Sequence, residues 1–211
     1  MTKIPTAVLA LGLVSAIMLS NIASFARDGA ELEKLRSSVL RLHILANSDS
    51  EKDQELKLMV RDAILEKSDE LFSGCSDKES AEKLCEEKLD EIERIAEHTL
   101  KKNGCDAKAE ASVGETYFDS RTYGDITMPE GEYTALRIEI GDAKGRNWWC
   151  VMYPPLCLPP ACKAEESECV ATDSDAEECF FDEKQQEILH NPRKYNVRFA
   201  IWDKLKELFE R

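Results

Sequence analysis

Val39–Ala46 reads VLRLHILA, and its reading decides the fold. Val39, Arg41, His43 and Leu45 alternate with Leu40, Leu42, Ile44 and Ala46. A period of two is the pattern of a strand, and the wholly apolar even set predicts a buried face. The next residues, NSDSEKD (Asn47–Asp53), supply turn and cap chemistry, with Ser50 three positions before Asp53. Leu56, Met59, Val60, Ala63, Ile64 and Leu71 then recur at helical spacing, which predicts a helix over Glu51–Phe72. Gly74 stops it. Ser76-x-x-Glu79 forms a capping box for a second helix, ending in Lys101-Lys102-Asn103-Gly104, with cations for the dipole and a glycine for the left-handed cap.

Alternation returns after this helical excursion. Ala107–Val113, Thr116–Tyr123, Tyr133–Ile140 and Asn147–Tyr153 each read as strands. Tyr123–Gly131 (YGDITMPEG) reads as a loop, and Gly141–Gly145 as a hairpin turn. Pro154-Pro155 ends the last strand, because proline has no N–H for the ladder. Residues 158–181 form an acidic, cysteine-bearing loop. Asp182–Leu189 is a short helix, and Val197–Phe209 a terminal one that buries Val197, Ile201, Leu205 and Leu208, with Trp202 beside them. One strand, two helices, several strands and closing helices predict an α+β single domain. Its sheet is mainly antiparallel, with about four to five strands packed by two long helices and a C-terminal helix.

Upstream of the strand, Ala7–Leu19 is an uncharged apolar run after Lys3, and Ser24-Phe25-Ala26 has the small residues of a cleavage site. Residues 1–26 read as a signal peptide or membrane anchor; residues 7–25 suit membrane association, and the domain is 27–211. Asp28–Ser38 reads as a short lead-in helix. The formal charge of −14 disfavours nucleic acid and anionic headgroups. All 8 cysteines follow the apolar segment, and an even count in an exported chain favours disulfides. No C-x-x-C occurs, which argues against a zinc ribbon or a thioredoxin-like site.

The densest segment is NWWCVMYPPLC (Asn147–Cys157). Cys150 and Cys157 suit a disulfide across the proline bend, two buried thiols being the alternative. Cys150 with His43, oriented by Asp49 or Asp125, would be a cysteine nucleophile and its base. Trp148 and Trp149 are adjacent on a strand and must face opposite ways. Either both pack internally, or one is an exposed anchor beside a rigid Pro-Pro corner. Asp119, Asp125, Glu130 and Glu132 cluster at the Tyr123–Gly131 loop, as acid/base pairs or as solvated acids.

Three stretches together resemble the stage II sporulation protein R family: residues 39–65, RTYGDITMPEGEYTALRIEIG (121–141) and GRNWWCVMYPPLC (145–157). The resemblance implies a protein ligand with no catalytic residue, no metal and no cofactor. It would be made in the forespore and exported into the space between the forespore and mother-cell membranes. Its partner there would be a membrane-embedded aspartic protease, stage II sporulation protein GA, which cleaves pro-sigma-E. The expected contact surface is Trp148, Trp149, Tyr153, Pro154 and Pro155, with Tyr123, Gly124 and Asp125 nearby. The rivals are an exported cysteine hydrolase using Cys150 and His43, and a structural envelope protein.

Overall fold

The alternation at Val39–Ala46 becomes β1 (Leu40–Leu45), an inner strand of a four-stranded sheet. The computed structural model describes residues 6–68, 75, 77–123, 125–154, 180–191, 195, 199, 201–204 and 208. β1 lies parallel to β5 (Gly131–Ile140), with Leu42 opposite Leu136 and Ile44 opposite Ile138. β2 (Ala109–Phe118) pairs antiparallel with β5, and β6 (Asn147–Tyr153) antiparallel with β1, giving the order β2-β5-β1-β6. The architecture is α+β, as the element order predicts.

The even side chains of β1 face α2 (Glu51–Glu66), α3 (Lys78–Glu87) and α4 (Leu89–Lys102). Leu56, Val60 and Ile64 of α2 and Ile92, Ala96 and Leu100 of α4 pack on Leu42, Ile44, Leu136 and Ile138. A single second helix was expected here, but it divides at Lys88, which ends α3 and begins α4. The apolar positions 81, 85, 92, 96 and 100 stay in helical phase across the break, so periodicity reads straight through it. The cap of α3 is Asp77, whose carboxylate accepts from the Ser80 N–H at 2.8 Å; Ser76 lies outside the described residues.

The odd face of β1 is covered too, which corrects the one-sided expectation. All of β1 is buried. Leu32 and Leu35 of α1 (Thr6–Ser37), Ile188 and Leu189 of α5 (Glu183–His190), Tyr195 and Phe199 form a second apolar cluster with Phe118, Tyr133 and Val151. The apolar segment and the lead-in helix are one continuous helix, α1, whose large apolar side chains from Val8 to Ile22 are exposed. Its length and composition suit a membrane span or a signal segment, and are compatible with export. Near its middle Phe25 meets Trp202, with ring centroids 5.8 Å apart. Ile201 and Leu208, expected inside, are exposed, because the terminal segment turns Tyr195, Phe199 and Trp202 toward the domain instead. Val197, Leu205 and residues 155–179, with most of the acidic 158–181 loop, lie outside the described residues.

Part of the expected Tyr123–Gly131 loop is a hairpin, β3 (Arg121–Tyr123) with β4 (Ile126–Met128). At the other end of the sheet the NSDS turn is tied to the β5–β6 turn. Asn47 Oδ1 accepts from the Asp142 N–H at 2.9 Å, and Asp49 Oδ1 from the Arg146 N–H at 2.7 Å. Gly145 has no room for a Cβ, which would collide with the Ser48 carbonyl.

Candidate functional site

The odd face of β1 carries Arg41 and His43 between strands that bring aromatic rings to both. Arg41 is fully buried. Its guanidinium carbon lies 4.0 Å from the Phe118 ring centroid, 4.9 Å from that of Tyr133 and 5.8 Å from that of Tyr123. Arg41 Nη2 donates to the Tyr123 hydroxyl at 2.6 Å, and Nε to the Cys150 carbonyl at 3.4 Å. Among the described residues Nη1 has no hydrogen-bond partner. Among the described residues no carboxylate forms a salt bridge with it. Burial pushes the guanidinium below its usual pKa, and the Tyr123 and Tyr133 phenols oppose that shift. Tyr133 is itself buried, which raises its phenol to about 12, and it donates to the Pro129 carbonyl at 2.6 Å.

His43 stacks on Trp149 with ring centroids 3.9 Å apart and planes 8° from parallel. Phe118 meets Trp149 edge-on at 4.5 Å. His43 Nε2 is 3.1 Å from Asn147 Oδ1, so this nitrogen carries the proton, and Nδ1 is buried without a partner among the described residues. Burial lowers the His43 pKa, the Asn147 bond opposes this, Arg137 lowers it further and Glu139 raises it. A base held below its unfolded value, ~6.5, stabilises the fold fully above that value and loses the contribution as pH falls through the folded one. Urea midpoints should therefore show the gap between the wild type and His43→Gln narrowing from pH 7.5 to pH 5. A constant gap would mean that His43 protonates in the fold without penalty.

The expected contact residues do not form one patch. Trp148 lies opposite Ile44 on the helix-covered face, with the Arg61 guanidinium 5.1 Å from its ring centroid. Trp149 lies opposite His43 on the other face. Both tryptophans are half-buried. Tyr153 and Pro154 stand at the far end of β6, joined by a cis peptide bond; Pro154 is buried, and the Tyr153 ring meets that of Phe180 at 5.8 Å. They border a groove with Lys34, Ser38, Lys78 and Phe180. Tyr123 reaches the Arg41 cluster, and Asp125 is exposed at the hairpin turn. Gly124, Pro155 and Cys157 lie outside the described residues.

Cys150 is buried and disulfide-bonded. It lies opposite Leu42 and packs in the helix-side core, whereas His43 faces Trp149 across the sheet. The two side chains are on opposite faces, which overturns a Cys150–His43 nucleophile and base. Asp49 is taken up by the Arg146 amide. The residues that sequence reasoning passed over are Arg41, Phe118 and Tyr133. The available signal was an arginine and a histidine alternating within an otherwise apolar strand.

Comparison with known proteins covers the sheet as a whole. Residues 36–163, which contain β1 through β6, match the family model of stage II sporulation protein R. Over 119 residues the chain is 40% identical to stage II sporulation protein R of Bacillus subtilis (strain 168), a match covering 56% of this chain and 53% of that protein. The match thus spans about half the length of the curated relative. No solved structure matches the chain.

Proposed function

Because this chain belongs to the stage II sporulation protein R family, we propose that it is the exported signal of endospore formation that activates stage II sporulation protein GA, the membrane aspartic protease that processes pro-sigma-E. Family membership is the observation that carries this reading. In it, the chain leaves the forespore, enters the intermembrane space and binds the extracytoplasmic side of the protease. The apolar first half of α1 suits export or retention at the membrane. Activation by a ligand requires tighter binding to the active protease conformer or dimer than to the inactive one.

The contact surface in this reading is Tyr123 and Asp125 of the hairpin together with Trp149, on the sheet face opposite the α2–α4 layer. Asp125 is exposed and Trp149 half-exposed there, and Arg41 and Phe118 link the two places beneath the surface. Trp148, Tyr153 and Pro154 would be contacts only if the protease reaches around β6.

Co-expression of this chain, the protease and pro-sigma-E in a non-sporulating host tests the proposal. Processing should require this chain. Exported, folded Asp125→Lys and Trp149→Ala variants should lower it by about tenfold or more, the scale of a partner hot spot. Processing without the chain would refute the function. Full processing by both variants would refute the surface.

A further inference from the structure

We infer that Arg41 is a positioning residue that holds the β3–β4 hairpin against the domain. Its use in recognition rests on the function proposed above, whereas the positioning itself does not.

A buried cation without a carboxylate is costly, and an apolar side chain of similar volume is often better tolerated. Here the guanidinium is fully buried on an inner strand, one of its nitrogens has no partner among the described residues, and three aromatic faces recover only part of the desolvation. Core stability alone does not explain such a group.

What the guanidinium does is visible in its side-chain hydrogen bond to the Tyr123 hydroxyl at 2.6 Å. Two strands of three residues cannot stand alone and depend on what they pack against. β4 is anchored by Ile126 and Met128, both buried in the second core cluster. In β3, Arg121 and Thr122 are exposed, so Tyr123 is the residue of that strand that reaches inward. Its ring and hydroxyl both engage Arg41. The exposed turn follows directly, so the Arg41–Tyr123 joint sets where Asp125 is presented. Methionine could fill the space beneath Phe118 but could not donate to the phenol.

Arg41→Met, Arg41→Lys and Tyr123→Phe in the full chain test this. Arg41→Met should unfold at the same or a higher urea concentration than wild type. In the same protein the β3–β4 amides should exchange about tenfold faster, the scale of one charge-assisted hydrogen bond, while the β1 and β5 amides keep their protection. Arg41→Lys, which restores a donor, should recover part of the hairpin protection. If Arg41→Met does not fold, Tyr123→Phe carries the test, because it removes the bond and leaves the ring. Unchanged hairpin exchange in these variants overturns the inference. Faster exchange with wild-type processing of pro-sigma-E supports the positioning and removes the hairpin from the proposed contact surface. Faster exchange with reduced processing supports both.

Discussion

Arg36→Ala is expected to lower the unfolding free energy by about 3 kcal/mol, the lower end of the cost of breaking a buried ion pair. The Arg36 side chain is only 8% exposed. Its two terminal nitrogens bind both Asp203 carboxylate oxygens, at 2.8 and 3.1 Å; Nη1 also meets Glu33 at 3.1 Å, and Nη2 donates to the Glu130 carbonyl. Burial alone would lower its pKa, but the Asp203 hydrogen bonds and charge outweigh that, and the net direction is upward. The side chain therefore clamps three distant pieces: the end of α1, the turn into β5 and the terminal segment. Gly131, at φ 144°, lies against the guanidinium where any side chain would collide. Truncation removes the clamp and leaves Asp203, itself partly exposed, to be rehydrated, which is why the lower end applies. A urea series on Arg36→Ala and Arg36→Lys measures it, with lysine intermediate because it lacks the two-pronged geometry. A loss below about 1 kcal/mol would mark the contact as an ordinary surface pair.

The same long-range tie explains what was legible in the sequence. β1, α2, β5 and β6 were legible because each carries its own period and its own cap or turn. The parallel pairing of β1 with β5 was not, since no local pattern encodes a neighbour more than ninety positions away. Burial on both faces of β1 was hidden for a related reason. Arg41 and His43 read as outward polar residues, and the rings that cover them come from β2, β5 and β6. The β3–β4 hairpin was hidden by size, because three residues are too few to show alternation and Gly124 and Pro129 signal a loop. At Arg27–Glu33 the return of charge reads as a boundary, yet a helix can pass from apolar to charged surroundings without a break, and α1 does.

The candidate site divides along the same line. The opposite facing of Trp148 and Trp149 follows from strand geometry, and the structure has it. Strand rise also separates Trp149 from Tyr153 by about 13 Å, so a compact segment of sequence spreads over two ends of the sheet. Cys150 and His43 invite pairing as residue types, but only the register, with Leu42 opposite Cys150, reveals that they lie on different faces.

Phe118→Ala should produce a still larger loss, about 3–5 kcal/mol, the usual cost of removing a buried phenylalanine. Phe118 is fully buried at the centre of the odd-face cluster. It meets Trp149 edge-on at 4.5 Å and Tyr133 at 5.8 Å, and Arg41 lies 4.0 Å from its centroid. Deleting the ring removes packing area and also the nearest π-face from a cation that has no carboxylate partner among the described residues. The two contributions separate in a double-mutant cycle. With Arg41→Met already in place, Phe118→Ala loses packing but no cation–π contact, and its cost should fall by about 1 kcal/mol. Phe118→Leu should retain much of the packing and lose the same electrostatic part. An additive cycle would mean that Arg41 draws nothing from this ring and that the cation is held by its other contacts, the hydrogen bonds to Tyr123 and the Cys150 carbonyl and the Tyr133 and Tyr123 rings. Coupling would make Phe118 the support on which the Arg41–Tyr123 joint, and through it the hairpin turn, depends.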